Sequence, residues 1–249
     1  VAQSPLHAQH ALINPSEPTP AFVIGDAFHA LVLEQERFDT EYALGLDRPK
    51  RTKADKEAWE EWLAEHPNQT ALKLDDWEAV HAMREALLAH PTASELLTGE
   101  GENELTMVWE DPDTGALCKG RADRLTNYQG QSVIADLKST IDSSPEGWGR
   151  SSARFLYHCQ AAWYLAGANE LAPLERRFLF ICCEKKAPYG VTVQELNEDA
   201  VKAGAKLNRI YLSRWLKCLK KKNFTGYPDG VLNYGLPPWA LNEIDKIEE

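Results

Sequence analysis

Asp123, Asp136 and Lys138 all fall between Gly120 and Thr140, a stretch whose pattern predicts a β-hairpin. The Gln129-Gly130-Gln131 turn joins a first arm carrying Asp123 to a second arm carrying Asp136-Leu137-Lys138. In that second arm Ser132, Ile134, Asp136 and Lys138 alternate with Val133, Ala135 and Leu137. A period of two therefore puts Asp136 and Lys138 on one face and the aliphatics on the other. Asp123 and Asp136, on neighbouring strands, are expected to face the same side and share an ion. Cleaving a phosphodiester needs an in-line water, neutralised charge on the phosphate and a stabilised leaving oxygen. Carboxylate-held Mg²⁺ suits that task, because it prefers hard oxygen ligands and retains waters that can be activated. Lys138 could position the attacking water or stabilise developing charge. Lys119 and Arg121, on the face of Asp123, could hold a non-scissile phosphate. Asp-X-Lys alone occurs in many proteins, so its meaning depends on the surrounding elements.

Those elements can be read along the chain. Pro5, Pro15, Pro18 and Pro20 keep residues 1–20 irregular, apart from one short helix opening at Ser4-Pro5-Leu6-His7. Thr19-Pro20 is an N-cap and first-turn pair for a helix to about Glu36, with Ile24, Phe28, Leu31 and Val32 at helical spacing and Gly25 and His29 four apart. Read from this helix alone, His29 is an ordinary core or surface histidine. Residues 47–100 read as a helical insertion. A basic approach (Arg48, Lys50, Arg51, Lys53) leads to a helix with Trp59, Trp62 and Leu63 that stops near His66-Pro67. A second helix starts at Asp75, with Glu78 completing a capping-box-like pattern, and stripes Trp77, Val80, Met83, Leu87 and Leu88. Strands follow over Glu104–Glu110 and Ala116–Leu125, joined by the Asp111-Pro112-Asp113-Thr114-Gly115 turn. Cys118, Gly120 and Ala122 are small enough to pack under a helix. After a loop over 142–149, the spacing predicts one helix over 151–166. Its core stripe is Phe155, Cys159, Ala162, Trp163 and Ala166, and a second stripe holds Tyr157, Gln160 and Tyr164. Strands over 174–183 and 190–196, a long helix over 198–222, and a Gly- and Pro-marked tail (223–249) with a short acidic helix after Pro238 complete the chain.

The 249 residues, 43% of them hydrophobic, suit one large domain over 1–249. The apolar runs are too short for a membrane span and the first residues carry no signal-sequence pattern, so a soluble, cytoplasmic protein without membrane partners is expected. Five cysteines (118, 159, 182, 183 and 218) without a CxxC pair argue for reduced thiols rather than a disulfide framework, zinc ribbon or iron–sulfur cluster. The net charge of −11 is unevenly spread: residues 1–118 hold 8 Lys or Arg against 23 Asp or Glu, and residues 119–249 hold 19 against 15. The half with the hairpin is thus the one suited to receive phosphate.

The order of these features is more specific than any one of them. A helix with Gly25 and His29 precedes a strand with Asp123, then Asp136-X-Lys138, then a helix with Gln160-X-X-X-Tyr164. This arrangement resembles the PD-(D/E)XK nuclease superfamily, in the branch with RecB-type nuclease domains. Within it, SPLHAQHALINPSEPTPAFVIGDAFHALVLE, WEDPDTG, GRADRL, ADLKST and YHCQAAWY look like RecE-type exonucleases, a likeness running to the terminal LPPWA. The resemblance implies a mixed α/β (α+β) fold, with a central mixed β-sheet flanked by helices. It implies His29, Asp123, Asp136 and the Leu137 backbone carbonyl as metal ligands, Lys138 as the catalytic lysine, Glu104 as a further carboxylate of the site, and Gln160 and Tyr164 as DNA contacts. It also implies Mg²⁺, with Mn²⁺ able to substitute, and 5′ to 3′ degradation of linear double-stranded DNA ends. The 3′ single strand left would serve a RecT-like single-strand annealing protein, and the enzyme would be a ring-shaped homo-oligomer, a tetramer by the nearest likeness. Ala122 stands where the superfamily name implies proline, and Asp136 where many relatives have glutamate, one methylene longer. The competing readings are a RecB-type nuclease of different polarity, a catalytically inactive DNA-end-binding module of the same fold, and an interaction protein whose hairpin charges are a solvated face.

Overall fold

The computed structural model describes residues 1–49 and 51–238. In chain order its elements are α1 (Pro5–Ile13), α2 (Pro20–Leu33), α3 (Gln35–Glu41), β1 (Tyr42–Leu44), α4 (Lys53–Glu65), β2 (Thr70–Leu72), α5 (Leu74–Ala89) and α6 (Pro91–Thr98). They continue with β3 (Gly101–Glu110), β4 (Leu117–Tyr128), β5 (Gln131–Thr140), α7 (Pro145–Phe155), α8 (Tyr157–Leu171), β6 (Arg176–Glu184), β7 (Val191–Glu195) and α9 (Glu198–Lys221). The chain divides into two compact units, Glu17–Ile210 and a smaller one formed by Val1–Ser16 with the chain from Tyr211 onward. In the smaller unit Ser4 caps α1, the Leu6 amide donates to the Thr225 carbonyl at 3.1 Å, and the Trp215 and Phe224 rings meet at 5.1 Å. The acidic helix expected after Pro238 lies outside the described residues.

The larger unit is built on a mixed sheet of order β3-β4-β5-β6-β7, in which only β5 and β6 run parallel. A parallel neighbour needs a crossover, which α7 and α8 supply. The turn between β4 and β5 has two residues, Gln129 (φ 52°) and Gly130 (φ 77°), between the paired Tyr128 and Gln131. Two positive φ angles in a two-residue loop match the right-handed twist of the strands it joins.

Helices cover both sheet faces, so β5 is buried on both and its alternation separates two cores rather than core from water. Val133, Ala135 and Leu137 pack with Phe28 and Leu31 of α2, Met83 and Leu87 of α5, and Leu96 of α6. Ile134 packs on the opposite side with Trp109, Ala122, Phe180, Trp148 of α7, and Ala161 and Ala168 of α8. Each large apolar side chain so buried stabilises the fold by about 1.5–3 kcal/mol. The five cysteines are free thiols and buried. Among the described residues no helix is long and apolar enough to cross a membrane.

Several local expectations change. The helix begun by Thr19 ends at Leu33, and α3 starts separately at Gln35. Lys73, not Asp75, occupies the N-cap of α5, and no side chain caps it. The helix expected over 151–166 is two, α7 and α8, broken where Leu156 turns left-handed (φ 58°). Phe155 and Ala166, expected in the core, are exposed. The buried positions of α8 are Cys159, Ala161, Ala162, Gly167 and Ala168. Tight helix contacts explain the small residues there: a Cβ at Gly167 would lie 2.6 Å from the Trp109 ring.

Candidate metal centre and nuclease site

The site sits where the sheet loses its regularity. The β4–β5 ladder runs from Tyr128↔Gln131 to Arg124↔Ala135 and stops just before Asp123 and Asp136. On the other side of β4, pairing with β3 passes from Asn103↔Arg124 to Leu105↔Ala122 and skips Glu104, which holds a left-handed φ of 52°. Side-chain direction reverses across this step. Arg124 points to the α6 side, donating to the Leu96 carbonyl at 2.6 Å, while Leu105 and Ala122 pack on the α8 side. Holding a glutamate in that conformation costs on the order of 1–3 kcal/mol, supplied by the surrounding packing.

Asp123 therefore does not project from one sheet face beside Asp136, as strict alternation predicts. Its carboxylate lies in the seam between β4 and β5, where Oδ2 accepts the Leu137 amide N–H at 2.8 Å. Imidazole Nδ1 of His29, from α2, is 3.7 Å from the same oxygen. His29, Glu104 and Asp123 each offer one ligand atom, all within 4.8 Å of one another. Gly25, one turn earlier on α2, faces Ser139 of β5: a Cβ there would lie 3.7 Å from its Oγ, an ordinary packing distance.

Asp136 and Lys138 form an adjoining pair. Lys138 Nζ contacts Asp136 Oδ2, and Gln160 Nε2 of α8 donates to Oδ1 at 2.7 Å. Tyr157, at the start of α8, lays its ring 5.2 Å from Lys138 Nζ. Tyr164 lies one turn from Gln160 on the same stripe, close over Gly120 of β4. The second stripe of α8 thus faces the site from its three positions. Arg121 lies with its Nε 2.7 Å from Glu104 Oε2 and is largely exposed, whereas the Lys119 side chain is exposed and its backbone carbonyl accepts from Trp163 Nε1 at 3.1 Å. Sequence reasoning gave no site role to Tyr157, although its place one turn from Gln160 on the polar-aromatic stripe carried the signal.

Burial sets the protonation of these groups. It drives His29 down to about 4, helped by the charge of Lys138, so the imidazole is neutral near pH 7 and free to ligate. Burial also raises Asp123, opposed by Lys138 and the Leu137 amide, and raises Asp136, opposed chiefly by Lys138. Burial works to lower Lys138, but Asp136 and Asp123 outweigh it and hold the ammonium above its ordinary value. Glu104 is raised by burial, against Arg121.

This donor set fits a divalent cation. Two carboxylates and a neutral imidazole converge, and the Glu104 carboxylate is paired with Arg121 through Oε2.

The sequence pattern of the family described as "PDDEXK-like domain of unknown function (DUF3799)" matches residues 2–231. The chain belongs to that family. As a PDDEXK-like domain it shares the restriction-endonuclease-like core that its mixed sheet and flanking helices display, and nucleases of this superfamily generally depend on divalent metal ions. A crystal structure described as a "putative exonuclease" from Eubacterium rectale has a similar fold, with a TM-score of 0.63 at 12% identity over 96% of this chain and 85% of its own. The crystal structure of SSO0001 covers 75% of this chain and 85% of its own at 15% identity, with a TM-score of only 0.31. No curated protein matches this PDDEXK-like chain in sequence.

Proposed function

We propose that this PDDEXK-like domain is a cytoplasmic, Mg²⁺-dependent exonuclease of the RecE type. It degrades linear double-stranded DNA from the 5′ end, leaves a 3′ strand for a RecT-like annealing partner, and works as a ring of copies, a tetramer by resemblance. The observation that carries the reading is the convergence of His29, Glu104 and Asp123 in the open seam of the sheet, beside the buried Asp136–Lys138 pair.

His29, Glu104 and Asp123 would hold the ion. Asp136 and the Leu137 carbonyl, ligands by resemblance, would complete the set, and Asp136 lies near enough to feel the charge of Asp123. Mg²⁺ bound there would neutralise phosphate charge and acidify a water, and Mn²⁺, more tolerant of imidazole, would substitute. The protein's own groups do the positioning. Lys138 is an ammonium, so it cannot take a proton from water; it orients the attacking water and offsets charge growing on the phosphate. Gln160 and Tyr157 fix the Asp136–Lys138 pair from α8, and Arg121 and Lys119, on the exposed part of β4, hold backbone phosphates of the duplex with Tyr164 beside them.

Linear duplex labelled separately at its 5′ and 3′ ends, with closed circular duplex and EDTA as controls, tests the reading. The expected result is Mg²⁺-dependent release of the 5′ label first, with the circle intact. Early release of the 3′ label would refute the polarity, and a cut circle would make the enzyme an endonuclease.

A further inference from the structure

A pocket of about 520 Å³ opens between the end of β5 and helix α7, immediately beyond Lys138 in the chain. Ser139 and Thr140 of β5, Trp148 of α7 and Tyr157 are among its lining residues. That tyrosine is shared, because its ring also contacts Lys138. Anything filling the pocket is therefore one side chain away from the catalytic lysine.

The lining is strongly basic for a chain of net charge −11. Arg150, Arg154 and Lys185 line it against a single carboxylate, Asp142, which is already engaged: Oδ1 accepts the Ser144 amide at 2.9 Å and Oδ2 lies 3.8 Å from Arg150. Two large apolar side chains stand at the same opening. Phe155 is 58% exposed and Ile141 is 92% exposed. A single exposed apolar residue is ordinary, but two beside three cations offer a ligand both charge and an apolar face. The Arg154 guanidinium lies 5.4 Å from the Phe155 ring, so one cation and one aromatic face are presented together. The left-handed Leu156 sets this arrangement, since it ends α7 and turns α8 so that Phe155 is left outside the core.

We infer that this pocket is the subsite for one nucleotide of the substrate strand next to the bond to be cut, with Arg154 and Lys185 on its phosphate oxygens and Phe155 stacked on its base. The inference rests on the nuclease reading for its substrate. The chemistry of the pocket points to the same class: cations track a phosphate backbone, and an exposed aromatic ring accepts any base.

Binding without cleavage tests it. The full chain in EDTA is titrated by fluorescence anisotropy with a labelled single-stranded oligonucleotide, and with the same sequence as duplex, at several salt concentrations. Arg154→Ala/Lys185→Ala is expected to weaken binding and to lower the log–log salt slope by about 0.7–0.9, the value for one lost phosphate contact. The Arg154→Lys/Lys185→Arg variant should keep the slope. An abasic nucleotide moved along the oligonucleotide should cost the wild type about fivefold or more at one position, and Phe155→Ala should be insensitive there. An unchanged salt slope overturns the phosphate assignment, and an abasic scan that is flat in the wild type overturns the base assignment. The two readings fail differently. Cleavage with an unaffected slope keeps the nuclease and removes the subsite. Binding with the expected slope loss but no cleavage in Mg²⁺ removes the nuclease and keeps the subsite. Far-UV circular dichroism matching the wild type shows that these surface variants fold.

Discussion

The Leu137 amide gives its hydrogen to the Asp123 carboxylate at 2.8 Å, where a continued β-ladder would have supplied a backbone carbonyl. One side chain thereby ends the pairing of two strands and is anchored in the gap it makes. The same oxygen faces His29. Asp123→Asn keeps an acceptor for Leu137 but removes the charge, whereas Asp123→Ala leaves a buried amide unsatisfied, at a cost of about 1–3 kcal/mol. Wild type is expected to gain thermal stability in millimolar Mn²⁺, and Asp123→Asn should fold with near wild-type stability but lose that gain. Asp123→Ala should also shift its urea midpoint downward. Calorimetry with and without Mn²⁺ separates the two effects.

Lys138 and Asp136 should behave as a unit in stability. Asp136 is fully buried and the Lys138 side chain is 15% exposed, and deleting one partner of a largely buried ion pair strands the other charge at a cost of about 3–5 kcal/mol. Lys138→Met should therefore destabilise more than the double variant Lys138→Met/Asp136→Leu, although both should lose at least a hundredfold in nuclease activity. Urea unfolding of the two single variants and the double variant gives the coupling directly. Additive single effects would show that the pair is not an interacting one.

How much of this was legible in the sequence follows from what each feature depends on. The Gln129-Gly130 turn, the Thr19-Pro20 helix start and the period of two in β5 are local, set by glycine, capping and alternation, and they are found where the residues place them. The reversal at Glu104 and the break at Leu156 are not local. Neither residue favours a positive φ, and the surrounding contacts impose both. The three-residue strands β1 and β2 are too short to show a period and exist through pairing with each other. For the site, residue types announced the carboxylates and the lysine, but the meeting of α2 with the β4–β5 seam is a tertiary fact. Only the resemblance to a known family placed His29 there in advance.

Gly120 tests whether α8 must lie close to β4. A Cβ on this glycine would come within 2.9 Å of the Tyr164 ring, one turn along α8 from Gln160, the partner of Asp136. Gly120→Ala should push the ring away and disturb Gln160, lowering kcat about tenfold, with a stability loss of about 1–3 kcal/mol from overpacking. Gly120→Ala/Tyr164→Leu, which removes the clashing ring, should recover most of the stability. If it recovers none, the close contact is not the cause.

Acid stability should be governed in part by Asp111, which lies in the β3–β4 turn outside the seam but is fixed by the same kind of pairing. This aspartate in the β3–β4 turn is buried and receives both Arg209 of α9, through Nη1 at 2.8 Å and through Nη2, and the hydroxyl and amide of Thr114. The bond from Arg209 is the main reason its carboxyl is held down to about 2, with Thr114 assisting against burial. An aspartate in an unfolded chain titrates near 3.9, so between the two values the unfolded state binds more protons. The contribution is complete above about pH 4 and is lost as pH falls through about 2. The shift corresponds to about 2–3 kcal/mol at most, and the partial exposure of Arg209 reduces this to about 1–2 kcal/mol. Asp111→Asn should therefore lower stability at pH 7 by that amount and by progressively less from pH 4 toward pH 2. Urea midpoints of wild type and variant measured across that range check the sign: a gap that widens as the pH falls would mean that the Asp111 carboxyl is raised, not lowered, by its surroundings.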